Sequence, residues 1–338
     1  MQIDINERIF HFKQPAGTSR GVYHTRRSWF VTVTDGSRKG VGECAPLPAL
    51  SCDDVADYEH ILRCVCDETA RSGRIDTEKL RPFPSMLFGL ETAFAMLNST
   101  DGRLFDTPFS RGEQGIPING LVWMGSFDEM LARIDEKLRL GFRCIKLKIG
   151  AIDFAQELEM VRQIRRSYSR DDVEIRLDAN GGFPNEVALS RLEELSRYDI
   201  HSIEQPVRQN QWAEMARLCS QSPIPIALDE ELIGVNDMAR KVESLETIRP
   251  RYIILKPSLH GGISGATEWV ALARERGIGS WLTSALESNV GLAAIAQLAA
   301  HLYGSHLQMP QGLGTGQLFT DNVPAPIEIR GDKLWFTT

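Results

Sequence analysis

Six residues in the central part of the chain are of the types needed to hold a divalent cation and move a proton: Lys146, Lys148, Asp178, Glu204, Asp229 and Lys256. From Lys148 onward they follow one another at intervals of 30, 26, 25 and 27 residues, and each ends or nearly ends a short apolar run. Singly they mean little. Lys146 and Lys148 could be like charges guarding an exposed strand edge, and any one carboxylate could pair with an arginine or face water. As an ordered series they imply a site. Three carboxylates brought to one place repel each other unless a cation joins them, and a hard divalent ion taking oxygen ligands answers that need. Mg2+ is expected, with Mn2+ able to replace it. A lysine partly desolvated beside such an ion has its pKa lowered and can act as a base. A metal between Lys148 and Lys256 suits removal of a proton α to a carboxylate. The ion neutralises the enediolate, one lysine takes the proton, and the other stabilises charge or works on the far face.

The elements that must position these residues are legible in the same runs. Side chains alternate between the faces of a strand, so Lys146 and Lys148 point one way while Ile145, Leu147 and Ile149 point the other. Asp178 shares its face with Arg176, and Asp229 with Ala227, which leaves Ile175, Leu177, Ile224, Ile226 and Leu228 to pack on helices. The intervals match the length of one strand, one helix and two loops. A closed parallel barrel would bring the strand ends to one mouth, where the active sites of such barrels lie. The expected fold class is therefore α/β, a modified, TIM-like (β/α) barrel over residues 101–322. Its first strand is expected at 116–122, its seventh at 279–287 and its eighth at 306–310. Helices are expected near 126–140, 152–168, 185–197, 209–220, 235–247, 264–276 and 290–303.

Residues 1–100 read as a separate α+β capping domain. Alternating segments at 3–12, 26–34 and 39–43, with Asp35-Gly36 as a turn, make an antiparallel sheet. Helical periodicity follows at 53–71 and 85–98. Two irregular segments, a mobile loop at 14–20 and a second at 46–52, could cover a barrel mouth. The C-terminal segment 323–338 contains a hairpin pattern, and the N-terminal sheet is its expected host, completing the cap. A net charge of −7 disfavours nucleic acid as a partner and leaves a small-molecule ligand. The first residues are neither basic nor apolar, and no run of about 18 apolar residues occurs. A cytoplasmic protein without signal peptide or spanning helix is expected. Six cysteines fit no zinc or redox spacing and read as free thiols in a reducing compartment.

Lys146-Leu-Lys148, Asp178-Ala-Asn180, Glu204-Gln-Pro206, Asp229-Glu230 and Lys256-Pro-Ser258 stand in the order of the motifs of the muconate-lactonizing branch of the enolase superfamily. The chain resembles that branch over nearly its whole length. The resemblance implies that Lys148 is the base, Lys256 the opposite lysine, and Asp178, Glu204 and Asp229 the Mg2+ ligands, under a cap whose loops touch substrate. The segments 85–93, 116–122, 284–288 and 312–316 are further similar to those of the o-succinylbenzoate synthase family of menaquinone biosynthesis. That likeness implies syn-dehydration of 2-succinyl-6-hydroxy-2,4-cyclohexadiene-1-carboxylate to 2-succinylbenzoate. Proton and hydroxyl leave from one face, so Lys148 serves as base and then acid, while Lys256 stabilises the enediolate by cation–π contact. Lys146, Asn180, Ser284, Gly312 and Gly314 are implied at the substrate. His24, Arg26 and Arg27 fall on a cap strand, either as a solvated face or as a carboxylate contact. A dipeptide epimerase or N-acylamino acid racemase would use Lys148 and Lys256 as opposed bases. Residues 306–312, however, lack the Asp-x-Asp that epimerases usually carry near the eighth strand. A non-catalytic ligand-binding barrel would show no metal-dependent proton exchange.

Overall fold

Alternating polar and apolar residues build the first sheet of the computed structural model, which describes residues 1–18, 21–99 and 101–337. Strands β1 (Gln2–Thr18), β2 (Gly21–Asp35) and β3 (Arg38–Cys44) pair antiparallel in that order. Most of the segment expected as a loop at 14–20 is hairpin instead. After an irregularity between His11 and Ala16 the ladder resumes and runs on to Thr18 opposite Gly21. Residues 19 and 20 lie outside the described residues. Helices α1 (Tyr58–Ser72) and α2 (Pro84–Asn98) cover one face of the sheet, burying Trp29, Val31, Val33, Leu62 and Leu90 between them. α2 lies so near β3 that a Cβ on Gly42 would stand 1.8 Å from the carbonyl oxygen of Gly89. Only glycine permits that approach.

The stretch 116–122, expected as one barrel strand, is two. β4 (Ile116–Pro117) pairs away from the barrel, and β5 (Gly120–Val122) opens it. Strand and helix then alternate through α3 (Phe127–Arg139), β6 (Cys144–Lys148), α4 (Phe154–Ser167), β7 (Glu174–Asp178) and α5 (Asn185–Leu195). The alternation continues through β8 (Ser202–Glu204), α6 (Trp212–Gln221), β9 (Ile226–Leu228), α7 (Met238–Ile248), β10 (Tyr252–Leu255), α8 (Gly262–Glu275), β11 (Gly279–Leu282) and α9 (Asn289–Tyr303). β5 to β11 form one parallel sheet in chain order. Leu147, Ile175, Leu177, Ile203, Leu228 and Leu255 are buried in the core between strands and helices.

Residues 311–312, not 306–310, close the ring. Gln311 bridges Ile118 and Gly312 bridges Thr283, both in parallel sense. Gln311 N donates to Pro117 O, and Gly312 N to Leu282 O, each at 2.8 Å. The expected eighth strand fails because residues 304–306 form a 3-10 turn and Pro310 has no N–H for a ladder. A Cβ on Gly312 would meet Thr283 Oγ1 at 2.1 Å, so glycine lets the closing strand dock.

The C-terminal hairpin also goes elsewhere than expected. β12 (Ile327–Arg330) and β13 (Lys333–Phe336) form a sheet with β4 rather than with β1 to β3. Leu334 and Phe336 find cover in the barrel's core, where Phe336 meets Phe109 edge-on at 5.8 Å. It is residues 318–320 that reach the N-terminal sheet. Lys13 N donates to Leu318 O and Thr320 N to His11 O along β1. Among the described residues, no helix is long and apolar enough to cross a membrane.

Candidate active site

Parity within the parallel strands aims the six charged residues inward. Lys146 and Lys148 lie on β6, with Asp178 closing β7 and Glu204 closing β8. Asp229 and Lys256 each stand one residue past their strands, β9 and β10. The ladder sets Lys148 beside Asp178, and Asp178 beside Glu204.

The side chains form a continuous chain of charges. Lys148 Nζ donates to Asp178 Oδ2 at 2.6 Å and to Asn180 Oδ1 at 2.7 Å. Lys146 Nζ bridges Asp178 Oδ2 at 2.8 Å and Glu204 Oε2 at 2.5 Å. Glu204 abuts Asp229, and Lys256 Nζ donates to Asp229 Oδ2. Lys148 and Lys256 thus stand at the two ends of this chain.

The middle of the chain is short of positive charge. Glu204 Oε1 and Asp229 Oδ1 are buried without a donor. Burial and the nearby Asp178 push the Glu204 carboxyl well above the usual carboxylate range. Orphaned carboxylate oxygens on neighbouring strand tips are the donor set a hard divalent cation takes. Among the described residues, however, no three acidic, His or Cys side chains already stand as a metal cage, and lysines lie on the carboxylates. Burial disfavours the Lys256 ammonium, but Asp229 and Glu230 outweigh it and raise the pKa. Lys146 is also raised, by Asp178 and Glu204 against the effect of burial.

A cavity opens above this chain, and Lys146, Lys148 and Lys256 face it. Asn180, Ser284, Gly312, Gly314 and Thr315 make a polar wall. Leu47, Leu50, Leu121, Trp123 and Leu286 make an apolar one. Lys146, Asn180, Ser284, Gly312 and Gly314, the residues implied at the substrate, therefore line one space, and of the two cap loops it is 46–52, through Leu47 and Leu50, that reaches it. Ser284 Oγ accepts from Leu286 N at 3.0 Å and from Thr315 Oγ1 at 2.8 Å, which leaves its own hydrogen free to donate.

Glu230 was named in a motif but given no role. It lines the cavity and accepts from Asn180 Nδ2 at 2.8 Å, and burial together with Asp229 pushes its carboxyl up to about 7. Its place directly after Asp229 was the available signal. Trp123 and Leu286 gave none, since apolar residues at strand ends resemble core. Of the three cap-strand cations, Arg27 pairs with Glu7 at 3.1 Å at the surface and His24 is exposed. Arg26 is neither a solvated face nor a carboxylate contact. It is buried on backbone carbonyls.

Comparison with known proteins agrees with this geometry. Residues 129–334 match the Enolase C-terminal domain-like family, and residues 17–97 match the MenC N-terminal domain. The o-succinylbenzoate synthase of Desulfotalea psychrophila is 44% identical over 99% of this chain and 98% of its own. The crystal structure of MenC from that bacterium superposes with a TM-score of 0.84 at 40% identity, covering 99% of both chains. The L-Ala-D/L-Glu epimerase of Bacillus subtilis is 30% identical over 85% of this chain and 81% of its own. With the superfamily's barrel joined to the N-terminal domain of the MenC proteins, this chain belongs to the enolase superfamily.

Proposed function

We infer that the protein is an o-succinylbenzoate synthase, eliminating water from 2-succinyl-6-hydroxy-2,4-cyclohexadiene-1-carboxylate to give 2-succinylbenzoate in menaquinone biosynthesis. The observation that carries this choice is the 44% identity, along essentially the full length of both chains, with a protein of that name.

Asp178, Glu204 and Asp229 would hold a divalent cation, which we assign as Mg2+ and which would supply positive charge to the carboxylate of a substrate losing its α-proton. Lys148, oriented by Asp178 and Asn180, takes that proton at Nζ and returns it to the hydroxyl departing from the same face, so the two leave as water. Lys256, at the other end of the charge chain, lies against the far face of the ring and stabilises its delocalised negative charge. Lys146 stays between Asp178 and Glu204, offsetting their repulsion. Asn180, Ser284 and the backbone at Gly312 and Gly314 hold substrate oxygens. The leucines and Trp123 cover the ring and exclude water.

The test is a comparison of substrates. With Mg2+ the purified protein should convert the cyclohexadiene carboxylate to the aromatic product, and a chelator should stop it. No turnover of that compound, alongside rapid solvent-deuterium uptake at the α-carbon of a dipeptide or N-acylamino acid, would replace this reading with an epimerase or racemase.

A further inference from the structure

We propose that Arg26 is a positioning residue that fixes the shape of the substrate cavity by clamping a loop of the N-terminal sheet domain to a loop of the barrel mouth. The proposal rests on the functional reading above. Arg26 is only 1% exposed, and its guanidinium is spent on main chain. Nη1 donates to Pro46 O and Nη2 to Ala45 O, in the segment that follows β3. Nε donates to Leu286 O at 3.2 Å and Nη2 also to Ala285 O at 3.5 Å, in the loop that follows β11.

Each clamped loop supplies cavity wall at once. Leu47 and Leu50 come from the first loop, Ala285 and Leu286 from the second. Each also holds a non-glycine residue in the left-handed region, Ala49 at φ 59° and Leu286 at φ 65°. Such conformations persist only where the surroundings impose them. A planar fork of fixed donors can reach four carbonyls on two segments, which a point-like ammonium cannot match.

The carboxylates nearby are committed to other partners. Glu43 accepts from Ser28 Oγ at 2.7 Å, Ser288 N at 2.9 Å and Gly291 N at 3.0 Å. Glu287 accepts from Ala285 N at 2.7 Å and from Ser258 Oγ, two residues past Lys256. Their charges offset part of the cost of burying the Arg26 cation while its donors stay on the carbonyls. Loss of the guanidinium therefore releases the apolar wall that the substrate rests on, and leaves the lysine–carboxylate chain in place.

The experiment compares Arg26→Met and Arg26→Lys with wild type, all loaded with Mg2+. Arg26→Met should raise KM about tenfold or more with kcat within about threefold, the pattern of lost uniform binding, and Arg26→Lys should fall between. Amide exchange should quicken at 47–51 and 284–288, while the amides of Ile263 and Ser264, held by Glu91, keep their wild-type rates. Should Arg26→Met fail to fold, Arg26→Lys carries the same comparison. Wild-type KM and exchange would overturn the proposal, as would a proportional fall in kcat or faster exchange throughout the N-terminal domain. If wild type does not turn over the cyclohexadiene carboxylate, the functional reading fails separately, and the exchange pattern still decides whether Arg26 is a clamp.

Discussion

Lys148 and Lys256 are the same side chain given different neighbours. Lys148 is shared between a carboxylate and the amide oxygen of Asn180, whereas Lys256 lies on Asp229 next to Glu230. The proposed mechanism gives the first the transfer of the proton and the second the lasting positive charge. Replacement of either lysine by alanine should lower kcat by about 10^2 to 10^4, the range for a lost acid–base or charge-stabilising group. The metal should respond in the opposite sense. Lys256→Ala takes a cation off Asp229, so Mg2+ measured by titration calorimetry should bind at least as tightly as to wild type. Weaker binding would instead show that the lysine holds the carboxylates together. The charged set could be found in the sequence because each member ends an apolar run at a repeating interval. Leu47, Trp123 and Leu286 could not, because an apolar side chain facing a cavity has the same pattern as one facing core.

At the scale of elements, the βα period was legible because parallel strands covered on both faces leave near-continuous apolar runs between polar loops. The closing strand leaves no such trace. Residues 311–312 make two bridges, and two residues have no period to detect. The hairpin β12–β13 showed that it needed a partner but not which one, since Leu334 and Phe336 would be apolar against either sheet. What betrays the closing strand is a glycine. A Cβ at Gly312 would enter the space of Thr283 Oγ1 and Cβ, at 2.1 and 2.5 Å. Gly312→Ala should therefore cost about 1–3 kcal/mol by overpacking and shift the cavity wall that Gly312 and Ser284 share. Chemical denaturation would measure the first effect. A variant as stable as wild type would show that the eighth position gives way without strain.

For the molecule as a whole, the question is how the sheet domain is held on the barrel. Glu91 of α2 reaches across to the start of α8, accepting from Ile263 N at 2.5 Å and Ser264 N at 3.2 Å. Beside it Arg81 meets Glu268 of α8 at 3.1 Å, and Lys241 of α7 meets the same carboxylate at 2.7 Å. Burial raises the Glu91 carboxyl from its ordinary 4.5 to about 6, and the charge of Glu268 adds to the effect. A folded-state pKa above the unfolded one means that the native state binds the proton more tightly. The stabilisation is complete below 4.5 and is lost as pH rises through about 6. The difference corresponds to about 2 kcal/mol across that window. Glu91→Gln keeps the size of the side chain and removes the titration. Its melting temperature relative to wild type should become more negative as pH falls from 8 to 5, because only wild type gains a proton there. The comparison cancels other titrating groups, including the site carboxylates, to the extent that they are unchanged by the substitution. A constant difference across that range would mean that Glu91 is ionised alike in the folded and unfolded chains, and so that its burial against α8 does not shift its titration.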